Sequence, residues 1–83
     1  MSYLWLPPLR ITVKTDGQYL THILWNERTH GILRVARRWR VDIGWWQTRI
    51  WRDYYKIVTH TGLLMVVYQD LGNKQWYVQQ VYD

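Results

Sequence analysis

Apolar and polar residues alternate along most of this 83-residue chain, and a period of two is typical of a half-buried β-strand. Short polar stretches rich in Gly, Asp and Asn separate the alternating segments, and these residues favour tight turns. The pattern predicts six strands, at residues 9–14, 19–25, 32–41, 48–59, 63–68 and 75–82. We therefore expect an all-β, mainly antiparallel fold of about six strands, in a twisted sheet or a small half-closed barrel.

Turn signals join the predicted strands. Asp16-Gly17 lies between two alternating segments and predicts a type I′ hairpin turn, in which both central residues have positive φ. Gly72-Asn73 is a second hairpin pair, and residues 26–31 read as a longer polar turn. Pro7-Pro8 favours an extended, polyproline-like lead-in over residues 1–8.

Composition indicates one small β domain, residues 1–83, because this length is near the lower limit for a self-sufficient core. The sequence has no cysteine, which excludes disulfide scaffolds, thiolate zinc sites and thiol nucleophiles. It has seven Trp, seven Tyr and no Phe, and an aromatic side chain buries roughly 150–250 Å². We expect most of these rings to lie in the core.

The longest apolar run, residues 63–68, is far shorter than the ~20 residues of a membrane-spanning helix. The same run is apolar on both faces, which predicts a central strand. The N-terminal residues lack the basic start of a signal peptide. We expect a cytoplasmic protein with no membrane partner.

Positive charge is concentrated in the middle of the chain. Residues 28–56 contain eight Lys or Arg and two Asp, whereas the rest contains three Lys or Arg and four Asp or Glu. If the two central strands pair as a hairpin, their polar faces form one basic surface interleaved with Trp and Tyr. Guanidinium groups neutralise phosphates and flat rings stack unpaired bases, so this composition suits single-stranded DNA or RNA.

We predict that nucleic acid is bound by Arg34, Arg38, Arg40, Trp45, Trp46, Arg49 and Arg52. Tyr, Trp and Arg also dominate protein interfaces, so a protein–protein adaptor, with a DNA-repair protein as one possible partner, or a homodimerising module is the alternative. A third reading is a merely solvated basic face.

Catalytic and metal-binding patterns are missing from the sequence. Its three His residues lack metal-ligand spacing, and its one serine, Ser2, lies in the lead-in. Asp42 and Asp53 stand among arginines, which makes them ion-pair partners rather than catalytic acids. We expect no enzyme activity, no metal and no cofactor.

Strand alternation also predicts orientations around residues 38–42. Trp39 and Val41 should face the core, with Arg38 and Arg40 facing solvent, and Asp42 should cap the turn at Gly44 or pair with Arg52. Trp76 and Tyr82 should share one face of the last strand and pack with Trp39.

Residues 37–83 carry motifs in an order that resembles one known family. The motifs are Arg37-Arg38-Trp39-Arg40-Val41-Asp42, Gly44-Trp45-Trp46, Ile50-Trp51-Arg52-Asp53-Tyr54-Tyr55, Asp70 and the closing Trp76-Tyr77-Val78-Gln79-Gln80-Val81-Tyr82-Asp83. They resemble a small domain of unknown function found alone or at the C-terminus of ImuB-like, Y-family DNA polymerase homologues. That family has no catalytic residues to carry over. The resemblance implies an accessory binding role in DNA repair or damage tolerance, through DNA or through a protein of that machinery.

Overall fold

The computed structural model describes the backbone of residues 2–45 and 48–82, and the side chains of residues 8–44 and 49–82. Six strands make up the fold: β1 Ser2–Asp16, β2 Tyr19–Trp25, β3 Arg28–Trp45, β4 Thr48–Thr59, β5 Leu64–Asp70 and β6 Trp76–Tyr82. The all-β prediction is confirmed. Within the described ranges there is no helix that could cross a membrane.

Each strand pairs antiparallel with the next, and β6 returns to pair with β1, which closes a ring in the order β1-β2-β3-β4-β5-β6. The ring is uneven. The short β2 pairs only with residues 12–16 of β1 and residues 28–31 of β3. Beyond those points β1 continues along β6 and β3 continues along β4, so five strands form one larger sheet.

The N-terminal segment belongs to this larger sheet. Its backbone pairs with β6 from Ser2↔Tyr82 to Leu4↔Gln80, and again from Leu9↔Val78 onward. The register shifts between Leu4 and Leu9, where Pro7-Pro8 interrupts the ladder because proline has no N–H to donate. Residues 2–8 are therefore part of β1 rather than a separate lead-in.

Two bulges in β3 change the orientation of the residues that lie between them. Between Ile32 and Arg34, and again between Val35 and Arg37, β3 carries one more residue than the facing part of β4. Each extra residue reverses the alternation of faces for the residues that follow. The second reversal cancels the first, so Arg34 and Val35 change face, whereas the residues from Arg37 onward keep the alternation that starts at Ile32. Simple alternation of the sequence could not locate the two reversals.

The predicted orientation of residues 38–41 is wrong, because the sequence pattern assigned the odd-numbered positions of β3 to the core, whereas Ile32, Arg38 and Arg40 share the core-facing side. Arg38 lies directly opposite Tyr55 and Arg40 opposite Asp53, so both arginines are on the face that continues into the core. Trp39 lies opposite Tyr54 on the other face. We call the side of the larger sheet that faces the barrel interior the inner face, and the opposite side the outer face.

The core fills the interior between β2 and the larger sheet. Ile23, Ile57, Met65, Val67 and Val78 are fully buried there. The predicted central strand is confirmed, because β5 lies between β4 and β6 and its residues 65–68 are all buried.

The last strand also departs from simple alternation. A shift between Val66 and Val67 leaves one extra residue in β6, so Val78 and Val81 both face the core. Trp76 packs against that core as expected, whereas Tyr82 lies on the outer face, which corrects the prediction that the two share a side.

Turn geometry differs from expectation in detail. Asp16 pairs with Tyr19, so the two turn residues are Gly17 and Gln18, with φ of 61° at Gly17. Glycine at the first central position is the arrangement of a type II′ turn rather than the predicted type I′. Two consecutive residues with positive φ occur instead at Asn26 and Glu27. Because β3 already begins at Arg28, this turn is shorter than the predicted one over residues 26–31.

Replacement of Ile57 by Ala tests the position of the core. Ile57 is completely buried on β4, so Ile57→Ala should lower the free energy of unfolding by about 2–5 kcal/mol. Ile43→Ala is the matched control, because Ile43 is 58% exposed and its loss should change the value by less than about 0.5 kcal/mol. Urea denaturation followed by circular dichroism measures both. Equal losses for the two variants would contradict the assigned core.

Candidate functional site

A row of aromatic rings crosses the outer face of the larger sheet. Trp39 of β3, Tyr54 of β4, Tyr68 of β5 and Tyr77 of β6 occupy directly opposed register positions. Successive ring centroids lie 5.3, 5.1 and 5.2 Å apart, with an edge-on contact at Trp39 and stacked contacts between the tyrosines. We call these four residues the aromatic ladder. Such cross-strand aromatic pairs stabilise a sheet and hold each ring in a fixed position.

Cations lie on and beside the ladder. The guanidinium of Arg37 is 4.9 Å from the Trp39 ring centroid, and that of Arg52 is 4.4 Å from the Tyr68 centroid. Arg52 Nη1 also donates a hydrogen bond of 3.1 Å to Tyr54 Oη. These distances are typical of cation–π contact, so the rings fix the guanidinium planes over the sheet.

The same face carries three further cations at its margins. Lys56 Nζ lies 5.1 Å from the Tyr82 ring centroid. Arg10 of β1 is in register with Tyr77 and extends the ladder row by one strand, and Arg34 is in register with Val58. The outer face therefore presents five cationic side chains, with Arg37 and Arg52 included.

Burial limits how the ladder can act. Tyr54 and Tyr68 are only 8% and 3% exposed, while Trp39 and Tyr77 at the ends are half-buried. Burial raises the pKa of Tyr68, so its hydroxyl stays protonated at neutral pH. A flat ligand would meet the end rings and the guanidinium planes rather than the two central tyrosines.

Outer-face charge has little carboxylate compensation. Among the described side chains, the ion pairs within 4 Å join Asp53 to Arg38 and Arg40, and Asp42 to Arg49. None of them includes an outer-face cation. Burial lowers the pKa of Arg52, but the Tyr54 hydroxyl, Tyr68 and Asp70, which lies directly opposite Arg52 in register, outweigh it and leave the pKa above its usual value. Cations that outnumber the nearby carboxylates attract anions.

The inner face is different because its arginines are held by carboxylates. Arg40 donates to both oxygens of Asp53, at 2.7 Å from Nε and 3.1 Å from Nη2. Arg38 Nη2 lies 3.5 Å from the same carboxylate, which is only 5% exposed. The hydrogen bonds from Arg40 lower the pKa of Asp53 against the opposing effect of burial.

Further along the hairpin, Arg49 donates to both oxygens of Asp42 at 3.2 Å and stacks on Trp51 at 4.5 Å. The interpretation of Asp42 and Asp53 as ion-pair partners is thus confirmed. Asp42 pairs with Arg49, however, and not with Arg52, because Arg52 projects from the opposite face of β4.

The predicted binding residues fall into two groups. Arg38, Arg40 and Arg49 lie on the inner face, whereas Arg34 and Arg52 lie on the outer face. One continuous basic surface does not form on the hairpin. The first bulge in β3 turns Arg34 away from Arg38 and Arg40, and Arg49 and Arg52 lie on opposite faces of β4. Trp45 ends β3, and its side chain is outside the described set; Trp46 lies outside the described residues altogether.

Five outer-face residues were not among the binding residues predicted from the sequence: Arg10, Arg37, Lys56, Tyr68 and Tyr77. One available signal was the alternation of Arg52, Tyr54 and Lys56 on β4, which places two cations and a ring on one face. The register that aligns Arg10 and Tyr77 with this group depends on pairings between distant strands and has no local signature.

A metal centre finds no support in the described part of the chain, where no three His, Asp or Glu side chains are grouped to hold an ion. His30 is buried with Nδ1 2.7 Å from Thr61 Oγ1 and Nε2 3.2 Å from the Trp25 carbonyl oxygen, so both ring nitrogens have partners.

Comparison with known proteins gives no relatives: no family model, no curated protein and no solved structure matches this chain. The resemblance of residues 37–83 to the ImuB-associated domain therefore stays a prediction from the motifs.

The pH dependence of stability tests the role of Asp53. Its folded-state pKa is lowered, so its ionised form stabilises the fold above the unfolded pKa of about 3.9, and this contribution is lost as pH falls through the folded value. Asp53→Asn should therefore destabilise the domain at pH 7, and the gap from the wild type should narrow below about pH 4.

Thermal denaturation across pH measures this gap. Asp42→Asn is the matched control, because its exposed pair with Arg49 should contribute no more than about 1 kcal/mol. If Asp53→Asn were no more destabilising at pH 7 than this control, the stabilising role of the Asp53 pair would be refuted.

Proposed function

We propose that this domain is a non-enzymatic binding module for single-stranded nucleic acid and that the outer face is its binding surface. The observation that carries the proposal is the aromatic ladder with Arg37 and Arg52 stacked on it and no ion pair within 4 Å to neutralise either, among the described residues. The outer face therefore combines planar groups held in fixed positions with positive charge that attracts phosphates.

Each part of the surface has a distinct role in this proposal. The guanidinium planes of Arg37 and Arg52, backed by rings, stack on unpaired bases, as arginine planes do in RNA recognition. Trp39 and Tyr77 offer half-exposed rings at the two ends. Arg10, Arg34 and Lys56 at the margins contact phosphates.

Single strands fit this arrangement better than duplexes. Stacking on the sheet requires bases that are not already stacked within a helix, and stacking is tolerant of sequence because every base has a π-face. We therefore propose binding to DNA or RNA with little base preference. The resemblance of residues 37–83 adds DNA damage tolerance in the cytoplasm as the proposed setting.

Inner-face arginines have a smaller part in the proposal. Arg40 and Arg49 each donate two hydrogen bonds to a carboxylate, so much of their charge is already compensated. Of the five predicted residues whose side chains the structure describes, Arg34 and Arg52 lie on the proposed surface.

Fluorescence anisotropy with a labelled oligothymidine of about 12 nucleotides tests the proposal. If about four phosphates are neutralised, the logarithm of the association constant should fall with log salt at a slope near −3. The triple variant Arg37→Gln, Arg52→Gln, Lys56→Gln should weaken binding and flatten the slope by about 2, since each lost cation removes about 0.7.

Arg28→Gln is the control for loss of a cation elsewhere on the domain, because Arg28 lies at the β2–β3 turn, away from the ladder. It should leave the slope unchanged, and a thermal melt should show that every variant remains folded. Absence of binding by the wild type at low salt, or equal weakening by Arg28→Gln and by the triple variant, would refute the proposed surface.

A second candidate function is capture of an acidic segment of another protein. Along residues 38–44, β3 pairs with β4 on one side, and the described strands provide no partner on its other side. A free edge can accept an added strand, and the neighbouring arginines favour an acidic one. If an acidic peptide binds and oligothymidine does not, this second function replaces the first.

A further inference from the structure

A cleft of about 400 Å³ opens at one end of the barrel, beside the β1–β2 turn and the β5–β6 loop. Tyr55 and Trp76 line it from the core side, with their ring centroids 5.4 Å apart. Leu20 and Leu71 add apolar surface. This size falls within the range of small-molecule sites, and the mouths of β-barrels are frequent positions for them.

Three cations and one anion line the cleft. The cations are Arg38, Arg40 and Lys74, and the one carboxylate in the lining is that of the buried Asp53. The formal charge of the lining is therefore +2. A cleft with this balance favours a small anion over a neutral or cationic ligand.

Asp53 holds the two guanidiniums in place without using all of their donors. Each guanidinium has five N–H groups, and Asp53 takes two from Arg40 and makes only a longer 3.5 Å contact to Arg38. Arg38 is also braced over the Tyr55 ring at 5.2 Å. Both arginine side chains are more than half exposed, so their remaining donors can reach a ligand.

Lys74 completes the set from the β5–β6 loop. Its φ is 64°, a left-handed conformation that is uncommon outside glycine and is found often at functional sites. The loop holds this conformation, since Lys74 N donates to the Asp70 carbonyl at 2.7 Å and Asp70 Oδ1 accepts from Gly72 N at 2.8 Å.

We propose that this cleft binds the phosphate group of a small phosphate monoester, held by Arg38, Arg40 and Lys74. A phosphate dianion matches the +2 charge of the lining, and its oxygens match the planar donor fork of arginine. The apolar wall of Leu20, Leu71 and Trp76 contacts the organic part of the ligand. This site lies on the inner face and is separate from the surface proposed for nucleic acid.

An NMR titration of uniformly ¹⁵N-labelled protein tests the site, with the Trp76 indole N–H and the Arg Nε–H signals as reporters. Inorganic phosphate and adenosine monophosphate are added at constant ionic strength, with chloride as the reference anion. Saturable shifts at Trp76 and Arg38 are expected. Shifts that rise without saturation, or that chloride reproduces, would overturn the proposal.

Substitutions locate the site. Lys74→Gln and Arg38→Gln should each weaken phosphate binding about tenfold, which corresponds to about 1.4 kcal/mol. Arg28→Gln should leave it unchanged. Unchanged affinity in both Lys74→Gln and Arg38→Gln, with folding verified by their NMR spectra, would refute the assignment.

One further ligand, a 5′-phosphorylated dinucleotide, distinguishes the source of the phosphate. A phosphate monoester occurs on a free nucleotide and on the 5′ end of a nucleic acid strand. Tighter binding of a 5′-phosphorylated dinucleotide than of adenosine monophosphate favours the strand end, and the reverse order favours a free metabolite. The triple variant of the outer face should bind inorganic phosphate like the wild type, so failure of either proposal is seen independently of the other.

Discussion

The register between β3 and β4 is the constraint on which the rest of this structure depends. Arg38 and Arg40 lie on the inner face, opposite Tyr55 and Asp53, and Trp39 lies on the outer face, opposite Tyr54. Asp53, opposite Arg40 and almost fully buried, can tolerate its burial only because Arg40 and Arg38 supply hydrogen bonds and charge. A slip by one residue would bury Asp53 without a partner, so the ion pair favours this register over its neighbours.

That register sorts the arginines into two chemical environments. Inner-face arginines meet carboxylates and line a cleft at the barrel end, whereas outer-face arginines meet aromatic rings. Tyrosine and tryptophan fit both faces, because the ring packs against neighbouring side chains while its O–H or N–H can still form a hydrogen bond. The lack of phenylalanine in a chain with fourteen Trp and Tyr accords with rings that lie at such partly polar positions.

The local sequence pattern was sufficient to locate the strands, but it did not identify which face of each strand meets the core. Alternation located β2 and β4 with the bounds that the structure shows, and the apolar run at residues 63–68 located the central strand. Trp39 and Val41 lie on an outer face that is itself rich in aromatic side chains, so hydrophobicity did not identify the face that meets the core, and the prediction for Trp39 was reversed. The alignment of Arg10 with Tyr77 joins the first strand to the last and depends on closure of the whole ring.

In the proposed function, single-stranded nucleic acid binds the outer face and the guanidiniums of Arg37 and Arg52, which stack on aromatic rings there. The most direct measurement is a ¹⁵N-NMR titration with oligothymidine at low salt, in which Arg side-chain N–H and Trp indole signals are followed individually. We expect chemical-shift changes at Arg37, Arg52 and Trp39, with the signals of Arg40 and Trp76 nearly unmoved. Shifts concentrated at Arg40 and Trp76, or none at the outer face, would refute the proposed surface.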